Sequence, residues 1–171
     1  RRRIGYEINM AKAGKEARII LKMNALQDPA MIDELYKASE AGVKIDLIVR
    51  GICCLIPNQP YSRNIRITRI VDSFLEHARV WYFHHGGNPL LFMGSPDWMR
   101  RNLYRRIEAV TPILDEDLKQ QLIDMLAIQL KDNRKAGWVD ENLNNVLKRN
   151  PKEEPVRAQY AFYEYLKGKN K

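Results

Sequence analysis

Two β-branched apolar runs on either side of one well-punctuated helical stretch constrain this chain more than any other feature. "ARIILKMN" (17–24) is short, apolar and ends in polar residues, so it reads as a strand. Asp28 and Pro29 follow as an N-cap and a first helical residue. In "DPAMIDELYKASEAG" the apolar Ile32, Leu35, Tyr36 and Ala38 recur at helical spacing, and Gly42 supplies a left-handed stop. "VKIDLIVRG" (43–51) has the β-branched run of a strand covered on both faces. Strand, helix and strand in this order make a βαβ unit with a parallel pair.

Further along, "NIRITRIV" (64–71) alternates like a half-buried strand. "ARVWYFH" (78–84) and "PLLFMGS" (89–95) form a hairpin through the Gly86-Gly87-Asn88 turn. "RRIEAVTPI" (105–113) reads as another strand. "DEDLKQQLIDMLAIQLKD" (115–132) is a helix with Leu118, Leu122, Met125, Leu126 and Gln129 on one stripe, an acidic first turn and a basic exit. From Ala136 to Pro155 the pattern fades, so 136–171 is expected to be less regular and to close with a short aromatic helix in "VRAQYAFYEYLKG". The expected fold is α/β, a mixed sheet of about five to six strands flanked by helices, with residues 1–171 as one domain.

A chain of 171 residues can bury a core without disulfides. Its two cysteines, Cys53 and Cys54, are adjacent, which suits neither a structural disulfide nor a full metal site, so a reducing cytoplasmic setting is expected. Association at the periphery of a membrane stays open. No apolar run approaches the ~20 residues that span a bilayer. The opening Arg-Arg-Arg, without Met or an apolar signal segment, is what a piece of a longer protein would show. Twenty-nine Lys and Arg against 21 Asp and Glu leave a net charge of +8. That balance points to a polyanion: nucleic acid, membrane phosphate, a nucleotide or another phosphate polymer. Charge alone does not choose among these, nor against a merely solvated basic surface.

Ligands of open α/β sheets gather beyond the carboxyl ends of strands, which directs attention to Lys22 and Asn24, to Arg50 before Gly51, and to Ser95 after Gly94. Arg50 offers a bidentate fork to phosphate oxygens and Lys22 a point charge. All three histidines lie between residues 75 and 98. His77 and Arg79 stand two apart, on one face of a pleated chain, and the Gly94-Ser95-x-Asp97 turn supplies a hydroxyl and a carboxylate to orient an imidazole or a phosphoryl oxygen. His84 and His85, beside the double glycine, read as plain solvent-facing residues. Arg100, Arg101, Arg105 and Arg106 form a dense cationic stretch, explained as readily by a solvated face as by a polyanion track. Arg106 and Glu108 would share a strand face and pair.

His77-x-Arg79 followed by Gly94-Ser95-x-Asp97 resembles one half of the phospholipase D superfamily motif, HxK with a later Gly-Ser pair and Asn. Here Lys is replaced by Arg, Asn by Asp, and the motif's Asp seven residues after the histidine by His84. Such chemistry needs two halves, one imidazole attacking phosphorus and the other protonating the leaving oxygen. One half is present. The stretches "IVRGICCL", "FLEHARV" and "GSPDWMRRN" are more particular still, and on them the chain resembles the C-terminal catalytic domain of bacterial polyphosphate kinase, of the phospholipase D-like type. The likeness weakens after about Leu130.

That resemblance implies a larger multidomain enzyme that reversibly transfers the terminal phosphate of ATP to inorganic polyphosphate, with Mg²⁺ and through a phosphohistidine located upstream. It implies that His77 is the second, C-terminal histidine, that Arg50 contacts nucleotide phosphates, and that the metal-linked residues lie outside this chain, leaving no metal site here. ATP/ADP, polyphosphate, the remaining domains and a second copy in a homo-oligomer are the implied partners. His84 and His85 stand where the family carries an acidic and an amide residue, which argues against a family role for either. Two rival readings remain: a phospholipase D-like phosphodiesterase or nuclease completed by dimerisation, and a non-enzymatic polyanion-binding module.

Overall fold

The computed structural model describes residues 1–149 and 151–169. Within them the chain runs α1 (Arg2–Lys12), β1 (Arg18–Met23), α2 (Pro29–Glu40), β2 (Lys44–Val49), β3 (Ile65–Ile70), β4 (Arg79–Phe83), β5 (Leu90–Gly94), α3 (Arg100–Arg105), β6 (Val110–Pro112), α4 (Glu116–Lys131), β7 (Ala136–Val139), β8 (Asn145–Leu147) and α5 (Ala158–Lys169). The described strands form one mixed sheet in the order β6-β5-β4-β1-β2-β3-β7-β8. β1, β2 and β3 are parallel neighbours, and every other pairing is antiparallel.

The βαβ unit forms for the reasons its residues suggest. The Asp28 carboxylate accepts from Met31 N at 3.0 Å, Pro29 opens the helix, and Gly42 takes φ +98 just past its end. β1 and β2 are covered on both faces. One face presents Ile19, Leu21, Met23, Ile45, Leu47 and Val49 to the core that includes Ile4 of α1 and Ile32 and Leu35 of α2. The other presents Ile20 and Ile48 to a second core containing Met125 and Leu126 of α4 and Ala158 of α5. Burial of this apolar area on two sides holds the sheet as a central layer. The hairpin turns at residues 85–87, with His85, Gly86 and Gly87 all at positive φ.

Several expectations need correction. The sheet has eight strands, not five or six. β7 and β8 lie in the region expected to be irregular. They are too short to alternate visibly, and β7 is a strand because its backbone pairs with β3, as Ile70↔Ala136 and Thr68↔Trp138. Residues 150, 170 and 171 of that region lie outside the described residues. The stretch read as a strand from Arg105 is helical in α3 up to that residue, and only Val110–Pro112 pairs, at the sheet edge where a proline is tolerated. Leu118 is exposed and leaves the apolar stripe of α4. α1 was not anticipated at all. Its Glu7, fully buried, accepts from Arg18 N at 3.2 Å and His85 N at 2.7 Å, tying the start of β1 to the hairpin tip.

Candidate functional site

The carboxyl ends of β1 and β2, the start of β4 and the end of β5 meet at one end of the sheet, since Lys22 pairs with Val80 and Arg79 with Gly94. Residues 24–28 are the hub. Leu26 forms bridges to both Cys53 and Trp98, Gly51 N donates to Asn24 O at 2.8 Å, and Trp98 N donates to Ala25 O at 3.1 Å. A Cβ at position 51 would come within 3.0 Å of Asn24 O, so the glycine permits this close approach. Six of the candidate residues, Lys22, Asn24, Arg50, His77, Arg79 and Asp97, thus come to one end of the fold.

Their contacts assign different tasks from those the spacing suggests. His77 lies before β4 begins and is exposed. Its Nδ1 is 3.4 Å from Asn24 Nδ2, and among the described residues the buried Asn24 Oδ1 has no partner. An imidazole accepting at Nδ1 carries its proton on Nε2. Arg79 does not share a free face with His77. Its guanidinium bonds the Asp97 carboxylate twice, at 3.2 and 2.9 Å, and His77 O at 3.0 Å. Asp97 orients backbone rather than imidazole, since its Oδ1 also accepts from Asn24 N at 2.8 Å and Ala25 N at 3.1 Å. The pair therefore holds the backbone carrying both Asn24 and His77.

Burial pushes the Asp97 carboxyl upward, but the Arg79 bonds and the two backbone N–H groups outweigh it and hold the group below its ordinary range. A depressed pKa means stabilisation that is complete above the unfolded value, near 3.9, and lost as pH falls through the folded value. Asp72, lowered chiefly by its Arg157 hydrogen bond, acts in the same direction. Acid titration followed by circular dichroism should show stability flat from pH 7 to about 5 from these two groups and falling below about 4. A loss centred near pH 6 would overturn this assignment.

Lys22 is buried, and its ammonium lies 2.6 Å from Glu76 Oε2, so its charge is compensated inside the protein. Gln129 Nε2 of α4 reaches the same oxygen at 2.6 Å. Ser95 is committed elsewhere than to His77: its hydroxyl donates to Glu108, and Ala109 N donates to it at 3.1 Å. Asn102 Nδ2 holds Glu108 from the other side at 2.6 Å. Glu108 is lowered first by Ser95 and then by Asn102, and pairs with these rather than with Arg106 on a common strand. Arg50 is half-buried at the end of β2, and among the described residues its guanidinium has no hydrogen-bond or ion-pair partner.

The arginine stretch divides. Arg100 and Arg105 line an open groove of about 460 Å³ with Asp28, Pro29, Ala30 and Tyr104, while Arg101 and Arg106 lie outside that lining and are exposed. His84 and His85 are half-buried rather than plainly solvent-facing. His84 approaches Tyr82 Oη at 3.4 Å, and the His85 ring packs on Tyr6 of α1 with centroids 4.1 Å apart. A recess of about 710 Å³ lined by Arg18, Asp46, Trp138 and Lys148 lies at the opposite end of the parallel strands and contains none of the candidate residues. Among the described residues no three His, Cys, Asp or Glu side chains gather as a metal site. No helix is long and apolar enough to cross a membrane.

Glu76, Gln129, Glu108 and Asn102 were given no site role by the sequence, where Gln129 stood only on a helical stripe and Glu108 only as a pair for Arg106. The one available signal was Gln129, an amide on an otherwise apolar helical stripe.

A mixed sheet of this order, with a histidine and cations at one end, is the phospholipase D-like fold. Nuc from Salmonella typhimurium, a phospholipase D family member, superposes with a TM-score of 0.53 at 14% identity, over 84% of this chain and 89% of that one. The family model for polyphosphate kinase C-terminal domain 2 matches residues 1–159, and the chain belongs to the polyphosphate kinase family. It is 48% identical to polyphosphate kinase from Vibrio cholerae, over 99% of this chain and 24% of that protein. The crystal structure of polyphosphate kinase from Porphyromonas gingivalis matches with a TM-score of 0.97 at 58% identity, covering 98% of this chain and 26% of that one. The chain thus spans about a quarter of the length of these relatives.

Proposed function

We propose that this chain is the C-terminal phospholipase D-like domain of a longer polyphosphate kinase, and that its strand-end site takes part in reversible transfer of the terminal phosphate of ATP to inorganic polyphosphate. The observation that carries the reading is the Asn24–His77 contact beside an unpartnered Arg50 at the ends of β1 and β2. The Asn24 carboxamide holds the ring at its Nδ1 edge and leaves Nε2 free, and in its protonated, imidazolium form His77 has an Nε2 proton to give the departing phosphate oxygen. As the γ-phosphorus bond to the ADP oxygen breaks, that oxygen takes the Nε2 proton of the imidazolium, leaving a neutral ring, and the phosphoryl group passes to a nucleophilic histidine outside this chain. Transfer in reverse returns the proton to His77. Arg50 offers its fork to phosphate oxygens, and Arg100 and Arg105 supply positive charge along a polyphosphate path, with Arg101 and Arg106 on its margin.

In this proposal Arg79 and Asp97 position rather than bind, Ser95 holds the link after α3, and Lys22 anchors Glu76, the residue next to His77. Mg²⁺ would be held by substrate phosphates and by groups beyond this chain. The complete enzyme would be a cytoplasmic homo-oligomer.

Arg50→Ala in a complete polyphosphate kinase carrying this chain should lower kcat/KM for ATP by roughly 10- to 100-fold, the worth of a charged hydrogen-bonded contact, with Arg50→Lys recovering only part. Unchanged ATP kinetics would remove Arg50 from the site. Hydrolysis of a phosphodiester by this chain alone, abolished by His77→Ala, would instead favour the phosphodiesterase reading.

A further inference from the structure

The segment that carries His77 is held by almost nothing of its own. Residues 71–78 belong to no strand or helix, and Val71, Phe74 and Leu75 are 66, 63 and 73% exposed, so apolar burial does not fix them. At the segment's far end Glu76 is held by Lys22 and Gln129, and what fixes residues 72–74 comes from α5 and the residue before it. Arg157 grips the Asp72 carboxylate at 2.8 and 2.6 Å and donates to Ser73 Oγ at 2.9 Å. The Gln159 carboxamide takes both backbone groups of one residue: Phe74 N donates to its Oε1 at 2.8 Å, and its Nε2 donates to Phe74 O at 2.8 Å. The same Nε2 is 3.2 Å from Glu76 Oε1, whose other oxygen is held by Lys22 and Gln129. A side-chain amide that pairs with the backbone as a neighbouring strand would replaces the ladder this segment lacks. α5 is itself pinned by the fully buried Asp132, which accepts from Ala158 N at 2.7 Å.

We propose that Gln159 is a positioning residue for His77, transmitting the placement of α5 through Phe74 and Glu76 to the imidazole. The proposal rests on the reading of His77 as the proton donor, but its test does not. Loss of the tether frees the backbone at Phe74 and one oxygen of Glu76 and so loosens the Asn24–His77 contact, although Lys22 and Gln129 on the other Glu76 oxygen and the Arg79 bond to His77 O remain.

The test uses Gln159→Ala and Gln159→Glu, the latter nearly isosteric but unable to donate to Phe74 O and repelled by Glu76, with the exposed Lys167→Ala on α5 as control. In this chain, ¹⁵N spectroscopy of the His77 ring should show Nδ1 as the acceptor and Nε2 as the protonated nitrogen, and both Gln159 variants should average that signature. Exchange of the Phe74 amide should speed up about 10-fold or more in both variants and stay unchanged in the control. In a complete polyphosphate kinase carrying the chain, the same variants should lower kcat about 10-fold while KM for ATP stays within about twofold, as misplacement of a catalytic group without loss of binding requires. Ring signals and Phe74 exchange matching the parent in both variants would overturn the proposal, as would equal loosening by Lys167→Ala. Loosening with undiminished turnover would leave Gln159 as the positioning residue and remove His77 from proton transfer. If Gln159→Ala does not fold, Gln159→Glu carries the comparison.

Discussion

Replacing His77 by Ala in a complete polyphosphate kinase carrying this chain is expected to lower ATP-dependent polyphosphate synthesis by about 100-fold or more, the usual worth of a placed general acid. The effect should fall on kcat, because an exposed ring that donates through Nε2 contributes to the transition state more than to ground-state binding. His77→Gln, which keeps an N–H donor without a transferable proton, should recover little. The reverse reaction, ATP formation from polyphosphate and ADP, must lose activity in step, since the same group takes the proton back. Steady-state rates in both directions check this. Turnover near the parent's in either direction would remove His77 from the chemistry.

The second large effect is on stability. Asp97→Ala should destabilise the fold by about 3–5 kcal/mol, the cost of leaving a buried cation without its partner. Arg79 and Asp97 side chains are 12 and 9% exposed, and removal also orphans the N–H groups of Asn24 and Ala25. At roughly 2–4 °C per kcal/mol for a chain of this length, the melting temperature should fall by about 10 °C. Arg79→Leu added to Asp97→Ala should restore part of that loss, because the uncompensated charge is gone. Calorimetry on the parent, the single variant and the double variant measures it. A loss below about 1 kcal/mol would mean that the pair is solvated and does not carry the site backbone.

Both effects depend on one distinction that spacing alone could not make. His77-x-Arg79 was legible as a pair, and it reads on a pleated strand as two side chains sharing a face. In the structure β4 begins only at Arg79, so the alternation argument does not reach His77, and the guanidinium turns toward Asp97. The Gly94-Ser95-x-Asp97 turn was equally legible as a polar motif. Its hydroxyl serves Glu108 and its carboxylate serves the backbone of residues 24 and 25. Lys22 was visible as a strand-end cation, but not that Glu76, 54 residues away, neutralises it.

What the sequence determined by itself is everything set by local chemistry: the Asp28–Pro29 cap, the Gly42 stop, the two covered strands, the glycine hairpin, α4, and the identity of the residues gathered at the strand ends. These follow from φ/ψ preference and apolar period, which act over a few residues. Tertiary structure decided the rest. β7 is a strand through pairing with β3, β8 pairs in turn with β7, α1 caps the sheet through Glu7, and Gln159 reaches back 85 residues to Phe74. Which charge meets which, and which amide replaces a missing ladder, is a matter of spatial neighbours, and no local period records them.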